Sequence, residues 1–278
     1  MKKILFMIDS LNGGGAEKVL INILKRLDYN KFDVTVFLIY GEGIYLKYVP
    51  DNVKIKYLTL GNNTINNWNF VKKYIYKLYR KILFAIVNFL KGLPIYKFII
   101  KDKYDIEISF IEGLTCFYVA NSTNKTSKKI SWIHTDLEKR KPLKPKQEIE
   151  ALNAMDKIVC VSNGSKNSVL KMYPHLEEKI QVIYNPIDKE EIIRKSNEII
   201  EYKKKKITVI TVGRLEYQKG HNILIQAQKE LIDEGIEHEL IIIGEGSLHK
   251  EIEQQIRRDN LEGSVKLLGY IENPYPYI

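Results

Sequence analysis

Ile4-Leu5-Phe6-Met7-Ile8, then Asn12-Gly13-Gly14-Gly15-Ala16, then Val19, Leu20, Ile23, Leu24 and Leu27 open the chain, and this run decides the fold. Five apolar residues with no polar break read as a strand buried on both faces. Three glycines give the backbone the freedom that a tight turn needs. The i, i+3, i+4 recurrence that follows predicts an amphipathic helix over 16–27. Strand, glycine turn and helix in that order begin a parallel α/β layer rather than a hairpin.

The alternation continues outward. Stretches 32–40, 105–110, 129–133, 157–161 and 181–184 are rich in β-branched and aromatic residues and read as strands, with helical patterns between most of them. The pattern then restarts. A lysine-rich stretch at 201–206 precedes a strand at 207–212, a helix marked by Ile223, Leu224, Ala227 and Leu231, and strands at 240–243 and 265–268. The reading is α/β with two Rossmann-like doubly wound domains, 1–190 and 206–278. The second has three strands where such a sheet usually has five or six, so it is expected to be incomplete.

The 278 residues include 45% hydrophobic and 28% charged side chains, which excludes a disordered or collagen-like chain. Cys116 and Cys160 are the only cysteines, which excludes a disulfide scaffold and predicts a reducing, intracellular setting. Asp9 closes the first apolar run too early for a signal peptide, and the longest run, 82–90, is far short of the roughly 20 residues of a membrane span. The net charge of +10 is concentrated: residues 1–100 hold 16 basic and 6 acidic side chains. No acid stands between Asp51 and Asp102, a span with ten Lys or Arg, which points to an anionic partner surface.

Four features fall at the carboxyl ends of strands, where open α/β sheets hold ligands. Gly13-Gly14-Gly15 at a helix start is either a phosphate cradle or a bare turn. Lys18 stands where the dinucleotide fingerprint needs a third glycine, and no Gly-Lys-Ser/Thr occurs. Gly213-Arg214-Leu215 and Lys219-Gly220 put a guanidinium and an ammonium before a helix, as a diphosphate clamp or as two solvated cations. Gly244-Glu245-Gly246 is either a nucleoside-side backbone or a turn. His134, ending Ser131-Trp132-Ile133, could donate to a sugar, move a proton, or be a satisfied polar residue.

Taken together, Gly-Gly-Gly-Ala-Glu-Lys-Val, Trp-Ile-His-Thr-Asp, Val161-Ser162-Asn163-Gly164-Ser165, Asn185-Pro186-Ile187-Asp188, Val-Gly-Arg-Leu…Gln-Lys-Gly and Ile-Ile-Gly-Glu-Gly resemble one family in order along the whole chain. It is the retaining GT-B glycosyltransferases of family 4, the group 1 glycosyl transferases of bacterial surface-polysaccharide synthesis. The resemblance implies a GT-B-like fold whose domains face a cleft holding a nucleoside-diphosphate sugar as substrate, with no resident cofactor and no metal. It implies that Arg214 and Lys219 hold the diphosphate, that Gly14 and Gly15 approach it, that His134 contacts the transferred sugar, and that Gly244 and Gly246 lie beside the nucleoside. Catalysis would be stabilisation of the departing diphosphate during same-face attack. The family's Glu-x₇-Glu motif follows a segment like Asn273–Ile278, where this sequence ends, so the chain is expected to be a C-terminally truncated member whose activity is in question.

Residues 70–91 alternate a stripe of Val71, Ile75, Leu78, Ile82 and Phe89 with Lys72, Lys73, Lys77, Arg80 and Lys81. Such a helix either lies on an anionic membrane surface or packs on its own domain with a solvated basic face. The family context implies an acceptor that is lipid-linked or a saccharide, and a cytoplasmic protein peripheral on the inner membrane face, with no nucleic acid partner. Two competing readings are a nucleotide-binding oxidoreductase and a non-enzymatic basic module that binds membrane surfaces.

Overall fold

The computed structural model describes residues 1–140, 145–202 and 207–278, in two compact units, Met1–Ile187 and Asp188–Ile278. Lys206, where the sequence reading begins its second domain, lies outside the described residues.

Among the described residues the first unit is an all-parallel seven-stranded sheet. Its strands are β1 (Lys2–Ile8), β2 (Phe32–Tyr40), β3 (Lys54–Thr59), β4 (Ile106–Ser109), β5 (Lys128–Ile133), β6 (Lys157–Cys160) and β7 (Ile180–Val182), in the order β3-β2-β1-β4-β5-β6-β7. The helices are α1 (Gly15–Leu24), α2 (Asn62–Asn66), α3 (Phe70–Phe89), α4 (Leu114–Ala120), α5 (Pro145–Asn153) and α6 (Asn163–Met172). Side-chain alternation serves two cores. Leu5, Met7, Phe37 and Ile39 pack with residues of α3 to α6, while Ile4, Phe6, Ile8, Val34, Val36 and Leu38 pack with α1. Apolar residues on both faces are what a helix-covered parallel sheet demands.

β3 is a strand that the sequence reading does not contain. It is the sheet edge, and its pattern is inverted: Ile55 and Tyr57 are exposed, while Lys56 pairs with Asp102 at 2.9 Å. Only Leu58 and Thr59 are buried, so the strand offers almost no core signal. The Ser162…Ser165 motif is a capping box on α6. The Ser165 N–H donates to Ser162 Oγ and the Ser162 N–H to Ser165 Oγ, both at 3.1 Å. Asn22 Nδ2 of α1 donates to the Pro186 carbonyl at 3.3 Å, fixing the end of the unit.

In the second unit, α7 (Lys189–Ser196), β8 (Thr208–Val212), α8 (His221–Asp233), β9 (Glu239–Ile243), α9 (His249–Arg258) and β10 (Val265–Gly269) follow in sequence. The strands form a parallel sheet ordered β10-β9-β8 over a core that includes Leu215, Ile225, Leu240, Ile242, Ile252 and Ile256.

Candidate functional site

In the first unit the functional groups gather at the carboxyl ends of the adjacent strands β1, β4 and β5. Gly14 is the N-cap of α1, with φ −79° and ψ 173°. A Cβ at Gly14 would lie 2.2 Å from Glu17 Oε2, so the first-turn carboxylate folds back over this turn. At Gly15 a Cβ would meet nothing within 4 Å, so packing does not account for glycine there. Asp9, just beyond β1, has its pKa raised to about 6 by burial first, then by repulsion from Glu17 and Glu112. That shared repulsion ties the glycine turn to the β4 loop.

His134 follows the last residue of β5. Its backbone N–H donates to Glu112 Oε2 at 3.2 Å, and Thr135 Oγ1 donates to the other oxygen of the same carboxylate. The ring packs on Phe110 with centroids 5.1 Å apart. Burial pushes the imidazole below its ordinary value, against weaker upward pulls from Glu112 and a backbone hydrogen bond to Phe110. Nε2 is buried with no hydrogen-bond partner among the described residues. A buried nitrogen without a partner is better left as a lone pair than as an N–H, which favours the proton on Nδ1. As placed, Nε2 is closed off from solvent.

The second unit brings Arg214, Lys219, Gly244 and Gly246 together at the ends of β8 and β9. Arg214 and Lys219 are exposed, and neither side chain has an ion pair or hydrogen bond among the described residues. Arg214 precedes and Lys219 ends a short turn, Tyr217–Lys219, that leads through Gly220 (φ +65°) into the N-terminus of α8. Glu216 is tied down beside them: its oxygens accept from the Ser247 N–H at 3.2 Å and Oγ at 2.8 Å, and these bonds first, then the nearby Arg214 charge, hold its pKa below the usual carboxylate value. The two glycines have a packing reason. A Cβ at Gly244 (φ +146°) would fall 1.8 Å from the Gly213 carbonyl oxygen, and one at Gly246 2.3 Å from that of Leu215.

Sequence reasoning passed over Asp9 and Glu112. Each is the first acid after a buried strand, and that position was the available signal.

Two parallel α/β units with cationic and glycine-rich strand ends define the architecture of a GT-B transferase. A family model described as Glycosyltransferase Family 4 matches residues 13–191, and one described as Glycosyl transferases group 1 matches 189–277. The chain belongs to glycosyltransferase family 4. It is 28% identical, over 100% of its length and 72% of the relative, to the Campylobacter jejuni N-acetylgalactosamine-N,N'-diacetylbacillosaminyl-diphospho-undecaprenol 4-alpha-N-acetylgalactosaminyltransferase. It is 23% identical over 97% of its length to the amylovoran biosynthesis glycosyltransferase AmsD of Erwinia amylovora, covering 69% of that protein. Among solved structures, Anabaena HepE in complex with UDP and glucose superposes with a TM-score of 0.64 at 20% identity, covering 100% of this chain and 71% of that one. TarM gives 0.65 at 14% identity, over 99% and 78%. The fold is that of GT-B enzymes, and family membership replaces the oxidoreductase reading of the two sheets.

Proposed function

We propose that the chain transfers a sugar, with retention, from a nucleoside-diphosphate donor to a lipid-linked or saccharide acceptor in bacterial surface-polysaccharide synthesis. Exposed, unpaired Arg214 and Lys219 beside the α8 N-terminus carry this reading, since two free cations and a helix dipole suit a diphosphate. Their charge stabilises the leaving diphosphate as the anomeric C–O bond breaks and the acceptor hydroxyl attacks the same face. Gly15 leaves room for close backbone approach, and Gly244 and Gly246 shape the nucleoside side. His134 contacts the transferred sugar. The donor is a substrate, and the chemistry invokes no resident cofactor or metal. The Campylobacter relative is named for a diphospho-undecaprenol-linked substrate, which supports a lipid-linked acceptor. With such an acceptor the chain would work as a cytoplasmic protein, peripheral on the inner membrane face.

Calorimetric titration with UDP and GDP tests it. Arg214→Ala and Lys219→Ala should each cost about 1.5–3 kcal/mol of binding to the preferred nucleotide. Affinity unchanged in both variants removes these cations from the site.

A further inference from the structure

α3 turns its apolar stripe away from the unit that it belongs to. Its inward side is fixed by fully buried Val87 and by Tyr76, whose Oη accepts the Leu60 N–H at 2.9 Å and shares a 2.8 Å hydrogen bond with Thr59 Oγ1. Arg80 Nη2 on the same side donates to Asn62 Oδ1 at 2.8 Å. At about 100° per residue, Val71, Ile75, Leu78, Ile82 and Phe89 fall within an arc of roughly 60° diametrically opposite Arg80 and Val87. All five are exposed, Val71 by 65%, Leu78 by 50% and Phe89 by 85%. Lys72 flanks the arc on one side, and Lys77 and Lys81 on the other, all three exposed. Of the two alternatives, the one in which the stripe packs on its own domain is not met, because a different face of the helix does the packing.

We propose that this stripe docks the first unit on an anionic lipid bilayer, with α3 lying in the headgroup boundary. Phe89, Ile82 and Leu78 would enter the acyl edge and the flanking lysines would meet lipid phosphates. Charge selects this occupant. A second copy would set lysine against lysine across the contact, and residues 52–101 supply no acid to relieve it. The inference deepens the lipid-linked acceptor reading and rests on it only in preferring a bilayer to an acidic protein.

The experiment is sedimentation of the full chain with vesicles of phosphatidylcholine alone and of equal parts phosphatidylcholine and phosphatidylglycerol, with no sugar donor present. The protein should pellet with the anionic vesicles at low salt and be released as salt rises. Leu78→Asp with Ile82→Asp should cut the bound fraction roughly tenfold or more, and Lys72→Glu with Lys77→Glu and Lys81→Glu should abolish the preference for phosphatidylglycerol. Far-UV circular dichroism and UDP affinity should be unchanged in both variants, because none of these side chains is in the strand-end sites. Failure to pellet with anionic vesicles, or equal pelleting of the double Asp variant, overturns the proposal. So does light scattering that shows a dimer lost in the double Asp variant. UDP binding and transfer to a water-soluble acceptor report the glycosyltransferase reading separately.

Discussion

The carbonyl oxygen of Gly213 occupies the place where a side chain at Gly244 would begin, 1.8 Å from a Cβ built there. The loop after β8 and the loop after β9 are in backbone contact at this point, and the Gly213 N–H donates to the Ile243 carbonyl at 3.0 Å. Gly244→Ala adds both the clash and a φ of +146° that L-residues rarely adopt. It should destabilise the second unit by roughly 3 kcal/mol or more, read from urea unfolding. A loss under 1 kcal/mol contradicts the close approach.

Gly15 predicts the reverse pattern. It is the first residue of α1 and has open space around its Cβ position. Gly15→Ala should raise stability by about 0.5–1 kcal/mol through helix propensity and a less floppy unfolded chain. If the donor's phosphates approach this backbone, the same variant should bind UDP more weakly while melting later. Full UDP affinity in a more stable variant would leave the glycine without a ligand role.

Asp9 sets a pH dependence. Its folded pKa of about 6 lies above 3.8, so the native state holds the proton more tightly than the unfolded chain does. Its contribution is favourable when protonated and is lost as pH rises from about 4 to 6, a span worth about 3 kcal/mol. Asp9→Asn should therefore gain stability relative to the native sequence across that window and keep the gain at higher pH. Parallel denaturation curves for the two proteins from acid to neutral pH would reject the shift.

His134 should titrate in the other direction. Burial holds its pKa below 6.5, so the folded state resists protonation, and this residue's share of stability falls as pH drops below 6.5 through the folded value. Nitrogen-detected NMR should find the proton on Nδ1 at neutral pH. Glu112→Gln should leave that tautomer in place, because the carboxylate accepts from the His134 backbone N–H and not from the ring, while weakening the tether at that N–H. A proton on Nε2 would restore His134 as a donor.

Much of the fold was legible because burial on both faces writes long apolar runs. The stretch 32–40 coincides with β2, and 157–161 differs from β6 by one residue. β3 was illegible for the same reason: an edge strand with exposed Ile55 and Tyr57 has little core to report. Periodicity located α3 but not its packing face, since the inward residues Tyr76, Arg80 and Val87 are amphipathic or mixed with the stripe in sequence. At the candidate site, glycines and cations stand out in a sequence. Asp9 and Glu112 do not, because a carboxylate gains its unusual proton affinity only from neighbours that the fold supplies.

The strand order places β1, which is translated before its sheet partners, near the middle of the sheet, with β4 as its second neighbour. Positions 9–105 must be translated before that edge can pair, which at roughly 5–20 residues per second leaves it open for seconds. During that interval Leu5, Phe6 and Met7 border an unsatisfied ladder, the kind of template that invites misassembly. Biogenesis of this enzyme should accordingly depend on a nascent-chain chaperone more than its final stability would suggest.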